Sequence, residues 1–313
     1  MSSRFSRRGF MTRSAAAAGV LAAGGVPLHA APPMADEKMA IARYKGAAKP
    51  SAEEIRKIAV SLTEKAIEGL GGMGRFVKKG AVVFLKPNMS WVRSPEQAAN
   101  TNPDVVATVI KKCFEAGAKK VQVGDNTCNP QPKAYAKSGV AEAAKKAGAE
   151  VLVLDKRRFR ETEIKGNVIK SIPIYPQCID CDVFINVPIV KHHRLARMTG
   201  CMKNYMGIIE NRKKFHQKIG DCLVDMTQFM KPQICILDAV RILTDHGPMG
   251  GKLEDVATKL SVAAGTDIVA LDAWGAEMLG AKPTDVSSVV AAEKAKLGTA
   301  DYRSLKPREI DVA

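Results

Sequence analysis

Four short apolar runs constrain this chain more than any other feature: Ala81-Val82-Val83-Phe84-Leu85, Lys120-Val121-Gln122-Val123-Gly124, Val151-Leu152-Val153-Leu154 and Val183 to Val190. Their apolar residues run on without strict alternation, as in strands buried on both faces of a sheet. Helical patterns lie between them. Before the first run, Ser51-Ala52-Glu53-Glu54 supplies an N-cap and a capping-box Glu, the period Ile55, Ile58, Leu62, Ala66 follows, and Gly71-Gly72 ends it. After it, Asn102-Pro103 opens a helix through Val105, Val109 and Cys113 that stops at Gly117. A further helix, Val140 to Ala147, precedes the third run.

This alternation predicts an α/β fold: a mostly parallel, doubly wound sheet with helices on both faces. The middle reads as irregular and mixed, with a hairpin over Glu161 to Ile174 turning at Gly166-Asn167. Later strands are expected at Ile234 to Asp238 and Lys259 to Ala263, and helices at Ile268 to Leu279 and Val286 to Leu297. The expected division is a leader over 1–30, a Pro- and Ala-rich linker over 31–50, and one α/β domain over 51–313.

The leader reading rests on Ser6-Arg7-Arg8-Gly9-Phe10-Met11, which resembles the twin-arginine export motif. A weakly hydrophobic stretch from Ala15 to Val26 and a cleavage-like Leu28-His29-Ala30 follow. That stretch is too short and glycine-rich for a stable membrane span. The expectation is therefore a protein exported, to the periplasm or an equivalent place, by the twin-arginine machinery and soluble after cleavage.

Removing the leader's Arg4, Arg7, Arg8 and Arg13 takes the formal charge from +16 to +12. Such an excess attracts anions or is simply a solvated basic surface. Nucleic acid fits poorly, because aromatic residues make up only 5% of the chain and no recognised binding module is present. All seven cysteines lie beyond the leader, and an odd count leaves at least one thiol without a disulfide partner.

Ligands of open parallel sheets bind at the carboxyl ends of the strands. Here those ends carry Lys86-Pro87-Asn88, Gly124-Asp125-Asn126, Lys191-His192-His193 and Asp238. Singly, Asn and Asp also follow strands as caps and turn formers. Together with the segment from Lys191 to Gly207 they predict one crevice. Thr199-Gly200-Cys201-Met202-Lys203-Asn204 reads as a glycine loop entering a helix whose free N–H groups attract an anion. Lys203 in its first turn would oppose the helix dipole by about 0.3–1 kcal/mol, which suggests a compensating anion or a chemical task. On a continuing strand His192 and His193 point to opposite faces, so one of them at most reaches the crevice. His246 to Gly251 reads either as a closing loop hinged at Gly247 and Gly250 or as a long turn, and Asp267 and Asp272 as caps bracketing a helix start.

These motifs, with Cys181-Asp182-Val183-Phe184-Ile185-Asn186-Val187-Pro188, Asp267 to Asp272 and Leu297 to Tyr302, resemble domain of unknown function family 362. Many members of that family look like carriers of ferredoxin-type clusters. This chain lacks the run of four close cysteines, so no such cluster is expected. Cys178-Ile179-Asp180-Cys181 reads as a structural turn or a simple disulfide, with half a metal site or a redox dithiol as alternatives. A remoter likeness is to the N-terminal domain of the nickel-pincer lactate racemases. It implies Lys203 as a cofactor anchor, His192 or His193 as general acid/base and His216 as a metal ligand, hence a metal ion or metal-bearing cofactor. His216 also fits a solvated basic loop, and Gly124-Asp125-Asn126 occupies the strand end where those racemases place another catalytic histidine.

Three functions remain open at this point. The first is an enzyme gripping a small anion through Lys86, Asn88, Asn126, Lys191, Thr199, Gly200, Asn204, Gly247 and Gly250, with Lys203, a histidine and Asp125 for proton transfer of the racemase or epimerase kind. The second is a non-catalytic anion- or metal-binding or maturation protein. The third is a redox protein built on Cys178 and Cys181, with Cys201 or Cys128.

Overall fold

The computed structural model describes residues 37–215 and 217–313. The leader-like segment and His216 lie outside the described residues. In chain order the elements are β1 (Met39–Tyr44), α1 (Ala52–Gly69), β2 (Val82–Pro87), α2 (Pro103–Glu115), β3 (Lys120–Val123), α3 (Gln131–Lys137), α4 (Val140–Lys146) and β4 (Glu150–Val151). Next come β5 (Arg160–Glu163), β6 (Ser171–Ile174), α5 (Gln177–Asp180), β7 (Val183–Val187), β8 (Ile189–His193), β9 (Arg197–Thr199) and α6 (Ile219–Met230). The chain then forms β10 (Ile234–Leu243), β11 (Val256–Gly265), α7 (Ile268–Met278), α8 (Ser287–Lys294) and β12 (Arg308–Val312).

Ten strands make one mixed, mostly parallel sheet in the order β12-β1-β11-β10-β7-β2-β3-β4, with β8 on β10 and β9 on β8. The run β10, β7, β2, β3, β4 is parallel throughout, while β11 is antiparallel to both its neighbours. Alternation along each strand feeds two apolar cores. Val83 and Leu85 face one shared with α1, α2 and α4, and Phe84 and Phe184 face another shared with α6, α7 and α8. Helices therefore cover both faces, as the apolar runs require.

Local signals set the element ends. Ser51 caps α1 with the full capping box to Glu54, Asn102 caps α2 with Pro103 at the first position, and Asp267 caps α7 by accepting from Val269 and Ala270. The expected hairpin is present as β5 and β6.

Several expectations are corrected. The segment read as linker contains β1, a buried strand between β11 and β12. Asp238 does not end a strand, because β10 continues to Leu243 through an irregularity at Ala239–Arg241. Of the third run only Val151 pairs as a strand, with Glu150 before it; the two form the sheet edge, and Val153 beyond them is 62% exposed. Asp272 is no cap but a buried residue within α7.

Candidate functional site

Lys86, the last residue but one of β2, has its side chain wholly buried, so its ammonium must find partners inside the protein. It donates to the Pro87 carbonyl at 2.5 Å and to Asn204 Oδ1 at 3.0 Å, and lies 3.1 Å from Asp125 Oδ1. Burial pushes the Lys86 pKa down, against the pull of the Asp125 charge. The other Asp125 oxygen, Oδ2, accepts from the Met89 N–H and the Ser90 hydroxyl, each at 2.9 Å. A Cβ at Gly207 would strike Asp125 Oδ1 and come within 2.6 Å of Lys86 Nζ, so only glycine lets this turn lie on the ion pair.

Asparagines extend this network. Asn204 donates to the Lys86 carbonyl at 3.0 Å and to Asn186 Oδ1 at 2.8 Å, and Asn186 donates to the Cys201 carbonyl at 2.9 Å. Asn88 meets Asn204 Oδ1 at 3.4 Å and accepts from Lys191 Nζ at 3.2 Å. Lys191 also donates to the Ala99 carbonyl at 2.5 Å and stands 5.9 Å from the Trp91 ring centroid. Its pKa falls to about 7, chiefly through burial. Lys86, Asn88, Asp125, Lys191 and Asn204, separated by up to 118 residues, thus form one network whose polar groups largely satisfy each other.

Beside it lies a second, less satisfied layer. Asn126 donates through its backbone to Gly207 and through its side chain to Ile209, and its carbonyl accepts from Arg212. Arg212 also donates to the Met206 carbonyl at 2.8 Å and to the Cys128 sulfur at 2.9 Å. Among the described residues, half-buried Lys203 has only the Met206 thioether at 3.5 Å as a hydrogen-bond partner. Burial lowers its pKa to about 8, the Cys128 sulfur pulls it up, and Arg212 pushes it further down. Among the described residues no carboxylate pairs with Lys203, Lys191 or Arg212, while Asp125 is committed to Lys86.

The Gly200 loop differs from the expectation. The helix after it is a single tight 3₁₀ segment, Lys203–Gly207, and its leading amides are not free. The Asp272 carboxylate accepts from the Cys201 N–H at 2.5 Å and the Met202 N–H at 3.0 Å, so the anion in this nest is the chain's own. Burial lifts the Asp272 pKa to about 6 against those two hydrogen bonds. Gly200 leaves space for that carboxylate, which a Cβ there would strike, and the buried Thr199 hydroxyl finds no hydrogen-bond partner.

His192 and His193 bond to other parts of the chain. His192 Nδ1 accepts from the Gly247 N–H at 3.1 Å and lies 3.9 Å from Asp245, while His193 Nδ1 accepts from the Leu195 and Ala196 amides at the turn beyond β8. Gly250 accepts from Arg93 at 3.3 Å, which fastens the His246–Gly251 loop to the segment carrying Trp91 and Ala99. Among the described residues, Asp245, His246 and Asp255 form a group able to hold a metal ion, with ligand atoms within 4.8 Å of one another. It is largely exposed and does not include Lys203. No disulfide joins the cysteines among the described residues, so the disulfide expected of Cys178 and Cys181 is not formed, and only Cys128 is exposed. Arg212 and Cys128 carry the outer layer yet were not singled out from sequence as anion ligands; the signal available was Cys128's place two residues after Asn126 at a strand end.

No helix among the described residues is long and apolar enough to cross a membrane. The Thylakoid-associated protein sll1697 of Synechocystis sp. is 29% identical over 238 residues, which is 73% of this chain and 72% of that protein. Among solved structures, the lactate racemase apoprotein from Thermoanaerobacterium thermosaccharolyticum aligns with a TM-score of 0.45 at 12% identity. That alignment covers 78% of this chain and 58% of the racemase chain, and a likeness this remote transfers no site. The model of one family matches residues 83–277, which hold both layers of the cluster, and the chain thus belongs to the family described as Domain of unknown function (DUF362).

Proposed function

We propose that this protein is an enzyme that binds a small anion at the carboxyl rim of its sheet, with Lys203 as the group that moves a proton. One observation carries the reading: Lys203 is held half-buried beside Lys191 and Arg212, and among the described residues no carboxylate and only a thioether meets it. Withdrawing ammonium groups from water without pairing them is unfavourable, and an incoming anion relieves that cost. A lysine whose pKa has fallen to about 8 is also suited to accept and return a proton near neutrality. Lys86 and Asp125 then serve as the rigid floor, and Lys191 supplies charge from beneath. In this reading the twin-arginine-like leader places the activity outside the cytoplasm.

Trp91, close to Lys191, is the natural reporter, since the other tryptophan, Trp274, is buried in the core. Titration with inorganic phosphate or small carboxylates is expected to change Trp91 fluorescence. Lys203→Met is expected to weaken that response at least about tenfold while the circular dichroism spectrum stays unchanged. Deuterium exchange at the α-carbon of the bound carboxylate, absent in Lys203→Met, would support turnover. Binding without exchange leaves an anion-binding protein, and wild-type affinity in Lys203→Met overturns the reading.

A further inference from the structure

The exposed cysteine beside this cluster has an environment shared by none of the other six. Cys113, Cys178, Cys181, Cys201, Cys222 and Cys235 are all buried. The sulfur of Cys128 accepts a hydrogen bond from Arg212 at 2.9 Å. Arg212 is itself fixed by its bonds to the Met206 and Asn126 carbonyls, so its guanidinium is held at the sulfur. A fixed guanidinium therefore meets one accessible thiol, and the Met206 that holds it also meets Lys203 Nζ through its thioether. The backbone beneath it is pinned as well, because the amides of Cys128 and Asn129 both donate to the Ser90 carbonyl, at 3.2 and 3.0 Å. Ser90 in turn donates to Asp125.

The thiolate is the nucleophilic form of cysteine, and neighbouring cations favour it. Arg212 and Lys203 also draw an anionic reactant toward the sulfur. We propose that Cys128 is a nucleophile for small carboxylates that bear an electrophilic carbonyl carbon, with Lys203 and Arg212 holding the carboxylate. The inference rests on the anion-binding reading and adds to it a covalent step and a substrate class. In that step a bond forms between the sulfur and the carbonyl carbon. The carbonyl π pair moves to oxygen, and the proton lost by the thiol reaches that oxygen by way of Lys203. The adduct is a hemithioacetal or its ketone equivalent, formed reversibly without oxidant or reductant.

Alkylation tests this with two reagents of matched reactivity but different charge, anionic iodoacetate and neutral iodoacetamide. In both, a sulfur–carbon bond forms as iodide leaves with its electron pair. The folded protein is expected to be labelled first at Cys128, as mapped by peptide mass. The ratio of the iodoacetate to the iodoacetamide rate is expected to exceed that of the same protein unfolded in urea by about tenfold or more. Inorganic phosphate should slow the iodoacetate reaction, and Arg212→Gln should lower the ratio toward the unfolded value. Glyoxylate should protect the thiol reversibly, and Cys128→Ser should lose the fast phase. Slow or charge-indifferent labelling of Cys128 beside an intact Trp91 response overturns the nucleophile alone. Loss of both the Trp91 response and phosphate protection overturns the anion-binding reading and this inference with it.

Discussion

Lys191 and Lys203 are basic groups whose folded pKa values, about 7 and about 8, lie below the ordinary value of 10.5. Below about 7, Lys191 is protonated in the folded and the unfolded chain alike. Between about 7 and 10.5 the unfolded chain keeps a proton that the folded protein has shed, so this residue makes folding more favourable as pH rises through that window. Lys203 acts in the same direction from about 8 upward. Urea unfolding of wild type and Lys191→Met at pH 7 and pH 9 is expected to show a smaller pH-dependent gain in stability in the variant. Equal gains in the two proteins would mean that Lys191 keeps its proton. Sequence made the residues of the inner network legible as polar groups at strand ends, but not which would neutralise which. That choice is made by contacts such as Lys86 with Asn204, 118 positions apart, and by the room Gly207 leaves above Asp125. Reading each strand-end residue as a ligand did not reveal that Lys86 and Asp125 face each other at 3.1 Å, and it left Arg212 unassigned.

Among the elements, α7 organises the glycine loop by sending Asp272 into the amides of Cys201 and Met202. Asp272→Ala would leave two buried N–H groups unpaired, each costing about 1–3 kcal/mol. Thermal unfolding should show a marked loss of stability for Asp272→Ala, with part of it recovered by Asp272→Asn, whose side-chain oxygen still accepts. Equal stability of Asp272→Ala and wild type would contradict this role. The cap signals at Ser51, Asn102 and Asp267 were readable because each acts within its own turn. Asp272 was misread as another cap because its partners lie 70 and 71 residues away. Strand β1 escaped notice for a related reason. Six residues beside a Pro- and Ala-rich segment give little local pattern, and their burial is decided by β11 and β12, from the far end of the chain.

At the scale of the molecule, the parallel run of β10, β7, β2, β3 and β4 was foreseeable because its strands are apolar on both faces and alternate with helices. The antiparallel insertion of β11 left no comparable mark in the sequence. Neither did the enclosure of the carboxyl rim by the Trp91 segment and the Gly247–Gly251 loop, which depends on contacts such as Arg93 to Gly250. What the sheet achieves is to bring Lys191, Lys203, Arg212 and Cys128 from three separate stretches of chain to one place, with Lys86 and Asp125 locked beneath them. The central claim is that this place binds an anion, and a bromide-soaked crystal measured at the bromine absorption edge tests it most directly. The account predicts an anomalous peak within hydrogen-bond distance of Lys203 Nζ and the Arg212 guanidinium that is lost in crystals of Lys203→Met. A strongest peak elsewhere, with none between those two side chains, would contradict it.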